Sequence, residues 1–214
     1  MADPRVIAWP VVLLPDFLLG REAMPSDSVE RYQRVQWESP IPTDSFEASI
    51  RQTWARSRGE RTEFEVECAA VVGSEVVASS RIVCLTRWVL PDAGHPDIPE
   101  AGDLGSLVPK RGVIFGDDDV REFCEVSNSH YSVTSRIGDA QVLGFRNVLV
   151  PGPLLTIVHL SEADATRATG SIDVWFKGPV TAGSANTICR PEHSGGLWAI
   201  RDVATGQPRT VARL

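Results

Sequence analysis

Residues Phe115–His159, FGDDDVREFCEVSNSHYSVTSRIGDAQVLGFRNVLVPGPLLTIVH, decide the fold, and the rest of the chain reads outward from them. The stretch opens on Asp117, Asp118 and Asp119. Acids suit a first helical turn, whose unpaired N–H groups carry partial positive charge. Val120, Phe123 and Val126 follow at helical spacing. Residues 127–135 are polar and β-branched and read as a loop. Gly144-Phe145 and then Val148-Leu149-Val150-Pro151-Gly152 lead into a second, apolar helix through Leu154, Leu155, Ile157 and Val158.

Upstream, Val29 to Arg87 has the period of strands. Tyr32, Val35 and Trp37, then Phe46, Ala48 and Ile50, then Phe64, Val66 and Cys68, then Ile82, Val83 and Leu85 mark four runs. Gly59 and Gly73-Ser74 fall at the turns, which gives an antiparallel meander. Val11–Leu19 reads as a short buried helix. Residues 91–112 are rich in Pro, Gly and Asp and read as a linker or a long irregular loop. Beyond His159, strands are expected at Ile172–Phe176, Ala185–Cys189, Leu197–Ile200 and around Val211.

The two halves echo each other. Leu14-Pro15-Asp16-Phe17-Leu18-Leu19 matches Val150-Pro151-Gly152-Pro153-Leu154-Leu155 in pattern. Val35-Gln36-Trp37 leads to a turn at Pro40, as Val174-Trp175-Phe176 leads to one at Pro179. Such matched segments predict a duplicated unit. Each would wrap an antiparallel sheet round one helix, and pairing the two sheets edge to edge would protect their open strands.

This order resembles the MaoC-like hydratase/dehydratase branch of the hot-dog fold. In that family a loop reading roughly S-G-D-x-N-P-x-H supplies an Asp/His pair, and a later G-F-x-x-x-I-x-H-G starts the central helix. The resemblance implies an α+β double hot-dog, two antiparallel sheets each wrapping a central helix. A shortened N-terminal unit would span residues 1–90 and a complete C-terminal unit 113–214, with 91–112 between them. The chemistry departs from the frame. The family's Asp falls on Ser129, its His on Thr134, and the His before the helix glycine on Pro151.

Composition bounds the rest. With 214 residues, 43% of them apolar and 23% charged, the chain can build a substantial core. A net charge of −7 and only two lysines, Lys110 and Lys177, argue against a nucleic-acid footprint. Cys68, Cys84, Cys124 and Cys189 share no metal-ligand spacing and read as buried free thiols. No carboxylate or histidine cluster suggests a metal, and no glycine-rich phosphate loop suggests a nucleotide, so no cofactor is expected. The start carries no signal-peptide pattern and no apolar run long enough for a bilayer, so the expected location is cytoplasmic.

Candidate site residues lie around the replaced dyad. Hydroxyls do not titrate near neutrality, so Ser129 and Thr134 would bind substrate rather than move protons. Val150 and Gly152 would bind it too, because the backbone at the start of the central helix can polarise a thioester carbonyl. His130 exchanges protons near pH 7 and Tyr131 can donate to a developing enolate, while Asp139 could act as a base. For each of these three the alternative is a surface or loop-capping role. His159 reads as a hydrogen-bonded core histidine. Two functions follow. One is a dehydratase-like enzyme repurposed for a lyase, isomerase or cyclase step on an acyl or polyketide-derived substrate, carried by coenzyme A or a carrier protein, in secondary metabolism. The other is a non-catalytic hot-dog subunit that binds acyl ligands or stabilises an active partner. Pairing into a homodimer is expected in either case.

Overall fold

A computed structural model describes residues 12, 29–38, 47–58, 61–86, 99, 104–128, 131–163 and 170–214. Among these residues nine strands form one antiparallel sheet: β1 (Val29–Trp37), β2 (Glu47–Arg58), β3 (Arg61–Val72), β4 (Glu75–Thr86), β5 (Leu107–Ile114), β6 (Gly170–Phe176), β7 (Ala185–Pro191), β8 (Trp198–Asp202) and β9 (Pro208–Arg213). The described helices with both ends placed are α1 (Asp117–Ser127), α2 (Ser132–Ser135), α3 (Ile137–Val142) and α4 (Gly152–Glu162).

The strand order is β2-β3-β4-β1-β6-β9-β8-β7-β5. Outward from β1 run β4, β3 and β2; outward from β6 run β9, β8 and β7. The two halves therefore repeat one arrangement, a strand followed by a meander whose last member returns beside the first. The ladder between β1 and β6 joins them, with Val35 opposite Ile172 and Trp37 opposite Gly170. Gly170 is needed at this seam, because a Cβ there would lie 2.7 Å from the Trp37 ring.

Period-2 alternation puts Val35, Trp37, Ile172 and Val174 into one buried cluster with Phe64, Val66 and Ile82. A second cluster gathers Phe115, Val120, Cys124, Leu155, Val180, Ile188 and Ile200. α4 bridges the two, since Leu160 belongs to the first and Leu155 to the second. Its buried Thr156 is tied to the first half of the chain. Thr156 Oγ1 donates to Gln33 Oε1 (2.8 Å), and Gln33 Nε2 donates to the carbonyl of Val12 (3.1 Å) and to Ser80 Oγ (3.2 Å). This tie locks the second half's helix to the first half's strands.

The two sheets read from the repeat meet edge to edge in the β1–β6 ladder and make one sheet. Other expectations change in the structure. Residues 107–112, expected to be irregular, belong to β5. This edge strand pairs only with β7 and leaves most of its side chains in water, so it lacks alternation. Pro109, which has no N–H, sits beside a break in its register. β5 also holds the far end of α4: Lys110 Nζ donates to the Glu162 carbonyl (2.7 Å) and Arg111 Nε to Glu162 Oε1 (2.7 Å). Cations there complement the helix dipole. In α1 the buried face is Val120, Cys124 and Ser127, while Val126 is 70% exposed, because a three-four step through Cys124 also completes a helical stripe. The loop read at 127–135 contains α2, and α3 follows it. The helix expected at Val11–Leu19 lies outside the described residues except for Val12, which is helical and buried. All four cysteines are free and buried.

Candidate functional site

The site forms where the entry to α4 meets the start of β1. Two backbone bonds set the entry: Val150 N–H donates to Val180 O (2.8 Å) and Ala182 N–H to Val148 O (2.9 Å). Pro151 then turns the chain, and Leu155 N–H closes the first helical bond onto its carbonyl (3.2 Å). Gly152 stands at the first helical position, where an N–H has no intrahelical acceptor. Pro153, with no N–H, is suited to the same first turn.

α2 is docked against this entry by Leu149 N–H, which donates to Val133 O (2.9 Å). The Thr134 hydroxyl donates to the Tyr131 carbonyl (2.9 Å), as does the Ser135 hydroxyl (2.9 Å), and the Cys124 thiol points at Thr134 Oγ1 (3.7 Å). The Thr134 hydroxyl thus serves the backbone of a short helix.

A pocket opens between these elements. Tyr131, Thr134, Val150 and Gly152 all line it, together with Leu149, Leu155, Phe176 and Val180. Asp139 is not among its lining residues; it sits half-buried in the first turn of α3. Ser129 and His130 lie outside the described residues. His159 is fully buried away from the pocket, with Nε2 2.7 Å from Thr210 Oγ1. Burial pushes its pKa down to about 3, against a small opposing pull from Glu162, so it is a neutral core histidine.

A titratable lining residue that the sequence did not point to is Glu30, from the other half of the chain. Its carboxylate packs on the helix start. A Cβ built on Gly152 would overlap Glu30 Oε2 and come within 2.7 Å of Glu30 Cδ and 3.0 Å of Phe176 Cζ. Only glycine lets the carboxylate approach so closely.

A β-bulge explains why Glu30 was missed. Gln33, Val35 and Trp37 point inward, so strict alternation would send Glu30 outward. The β1–β4 register shifts between Glu30 and Tyr32, however, and puts Glu30 opposite the buried Cys84. An extra residue in a strand reverses the facing of what precedes it. Among the described lining residues, Glu30 and Tyr131 are the two with titratable side chains, and the rest of the wall is largely apolar.

No family model and no curated protein sequence matches the chain. Solved structures do. HtdX of Mycobacterium tuberculosis superposes with a TM-score of 0.77 at 18% identity, over 97% of this chain and 86% of that one. A MaoC-like dehydratase from Phytophthora capsici gives 0.69 at 16% identity, over 98% and 82%. The full-length peroxisomal multifunctional enzyme type 2 of Drosophila melanogaster gives 0.71 at 13% identity, over 96% of this chain and 40% of that one. The chain has the hot-dog fold of the MaoC-like dehydratases. Identities this low carry the architecture alone, and the function rests on the site.

Proposed function

We propose that this protein is a dehydratase-like hot-dog enzyme that binds an acyl or polyketide-derived chain, as a thioester of coenzyme A or of a carrier protein, in the pocket at the start of α4. One observation carries this reading: an apolar pocket ends on a helix N-terminus whose first residue is glycine. Apolar walls favour the chain, and a convergent N–H with the helix dipole behind it favours a carbonyl that gains negative charge. The reaction would be of the lyase type, with isomerisation and cyclisation as variants of the same enolate chemistry, and secondary metabolism as its setting. Tyr131 would donate to the enolate, His130 and Asp139 remain candidates for proton transfer, and Ser129, Thr134 and Val150 for shaping the site. We read the chain as two hot-dog units divided within residues 91–112, working as a homodimer in the cytoplasm.

The bonding of Thr134 favours a second reading, a non-catalytic subunit, because a hydroxyl given to the Tyr131 carbonyl is structural. Incubation with 2-octenoyl-CoA and with 3-hydroxyoctanoyl-CoA separates the two. Gain or loss of water, followed by mass spectrometry, supports the enzyme. Binding without turnover leaves the subunit, and the absence of both binding and turnover defeats the pocket itself.

A further inference from the structure

The pocket's chemistry has a candidate carrier in the first half of the chain. We infer that Glu30 is the proton-transferring group of this pocket, taking and returning the proton on the carbon next to an acyl thioester carbonyl. The inference rests on the acyl-thioester reading of the site and names the residue that would do its chemistry.

Three observations converge on it. The bulge in β1 turns a carboxylate inward, at a place where the strand's own alternation would send it to solvent. Gly152 leaves the space that this carboxylate fills, beside the helix N–H that would hold the carbonyl. The lining described around it is apolar apart from Tyr131 and Thr134, and Thr134 is committed to the Tyr131 backbone. Of these three side-chain types, a carboxylate is the one that ordinarily serves as a general base, whereas a phenol and an alcohol hold their protons. Carboxylate and helix-start N–H thus meet at one residue, Gly152, and α-proton abstraction needs both a base and a carbonyl donor.

The step balances with one group. The Glu30 carboxylate takes the α-proton, and the C–H electron pair moves into the carbonyl as an enolate held by the Gly152 N–H. In a 3-hydroxyacyl thioester, collapse of the enolate forms the C2–C3 double bond and breaks the C3–O bond. The leaving hydroxyl takes the proton back from Glu30, so that water departs and the carboxylate is restored. A saturated acyl thioester has no leaving group, and its enolate can only return to the starting material with a proton from solvent.

Octanoyl-CoA in D2O therefore isolates the first step, with deuterium at the α-carbon read by mass spectrometry and binding read by calorimetry. Wild type should bind and exchange. Glu30→Gln should bind within a few-fold and lose roughly a hundredfold or more of the exchange rate, the usual span of a general base. Glu30→Asp should keep part of it, and formate should restore part of it to Glu30→Ala. Gly152→Ala should also slow exchange, because its methyl would displace the carboxylate, whose flexible stem can swing aside. If wild type binds but Glu30→Gln exchanges at the same rate, or if wild type binds and does not exchange, Glu30 is only a partner of the helix start and the inference falls while the pocket reading stands. If wild type does not bind, the pocket reading has failed and the inference with it.

Discussion

β1 and β6 hold equivalent places in the two halves of the sheet, yet they bring different things to the site. β6 pairs with β1 and β9 without a register break; it packs the core through Ile172 and Val174, both fully buried, and gives the pocket only the apolar Phe176. β1 carries a bulge, and the bulge delivers Glu30 to a pocket built mainly by the second half. The same strand arrangement thus occurs twice, while one extra residue in a strand changes which chemical group faces inward. A repeated fold can acquire a site by altering the facing of one side chain, with little change to its core.

Substitutions at the seam would test whether the halves act together. Ile172 is buried and stands opposite Val35 across it. Ile172→Ala should cost about 2–5 kcal/mol through lost burial and the cavity left behind. If the halves are one cooperative body, a single urea transition moves to lower denaturant; two separate transitions would show that they are independent. Thr156→Val removes the donor that α4 gives to Gln33 Oε1 and leaves that buried carbonyl oxygen without it. The expected cost is about 1–3 kcal/mol in the same measurement.

His159 ties α4 to β9 inside the second half, and its protonation gives that tie a pH dependence. Its folded pKa of about 3 lies below the ordinary value of 6.5. Above pH 6.5 both states are neutral, and the full stability is present. Between 6.5 and about 3 only the unfolded chain binds the proton, so stability falls as pH drops, by up to about 1.4 kcal/mol per unit. Urea midpoints at pH 7 and pH 5 should therefore differ, and His159→Gln should narrow the difference. An unchanged difference in that variant would assign the acid sensitivity to other groups.

Much of this was legible in the sequence where the signal is local. α4 shows as an apolar run behind Pro151-Gly152, and β3 and β4 show as alternation punctuated by turns, because burial on one face writes its period into the residues. β5 hides because an edge strand in water has no such period. Val126 looked inward by spacing alone, but Cys124 takes that side of α1. The pocket wall at Tyr131, Thr134, Val150 and Gly152 followed from the order of motifs. Glu30 did not, since a bulge depends on a ladder partner, Cys84, far along the chain.

The smallest effect expected is the one that separates the two sides of the pocket most cleanly. Thr134 lines the pocket from the loop side, and its hydroxyl donates to the Tyr131 carbonyl at 2.9 Å. Thr134→Val keeps the shape and removes the bond to the Tyr131 carbonyl and the weak one from the Cys124 thiol, so stability should fall by about 0.5–1.5 kcal/mol. The Tyr131 carbonyl retains the Thr134 and Ser135 N–H groups and the Ser135 hydroxyl, which argues for the lower end of that range. If the loop side is structural and the β1 side chemical, octanoyl-CoA binding and α-proton exchange should stay within a few-fold of wild type. A large loss of exchange with stability intact would instead place the chemistry on the loop, and the bulge in β1 would then be a feature of packing alone.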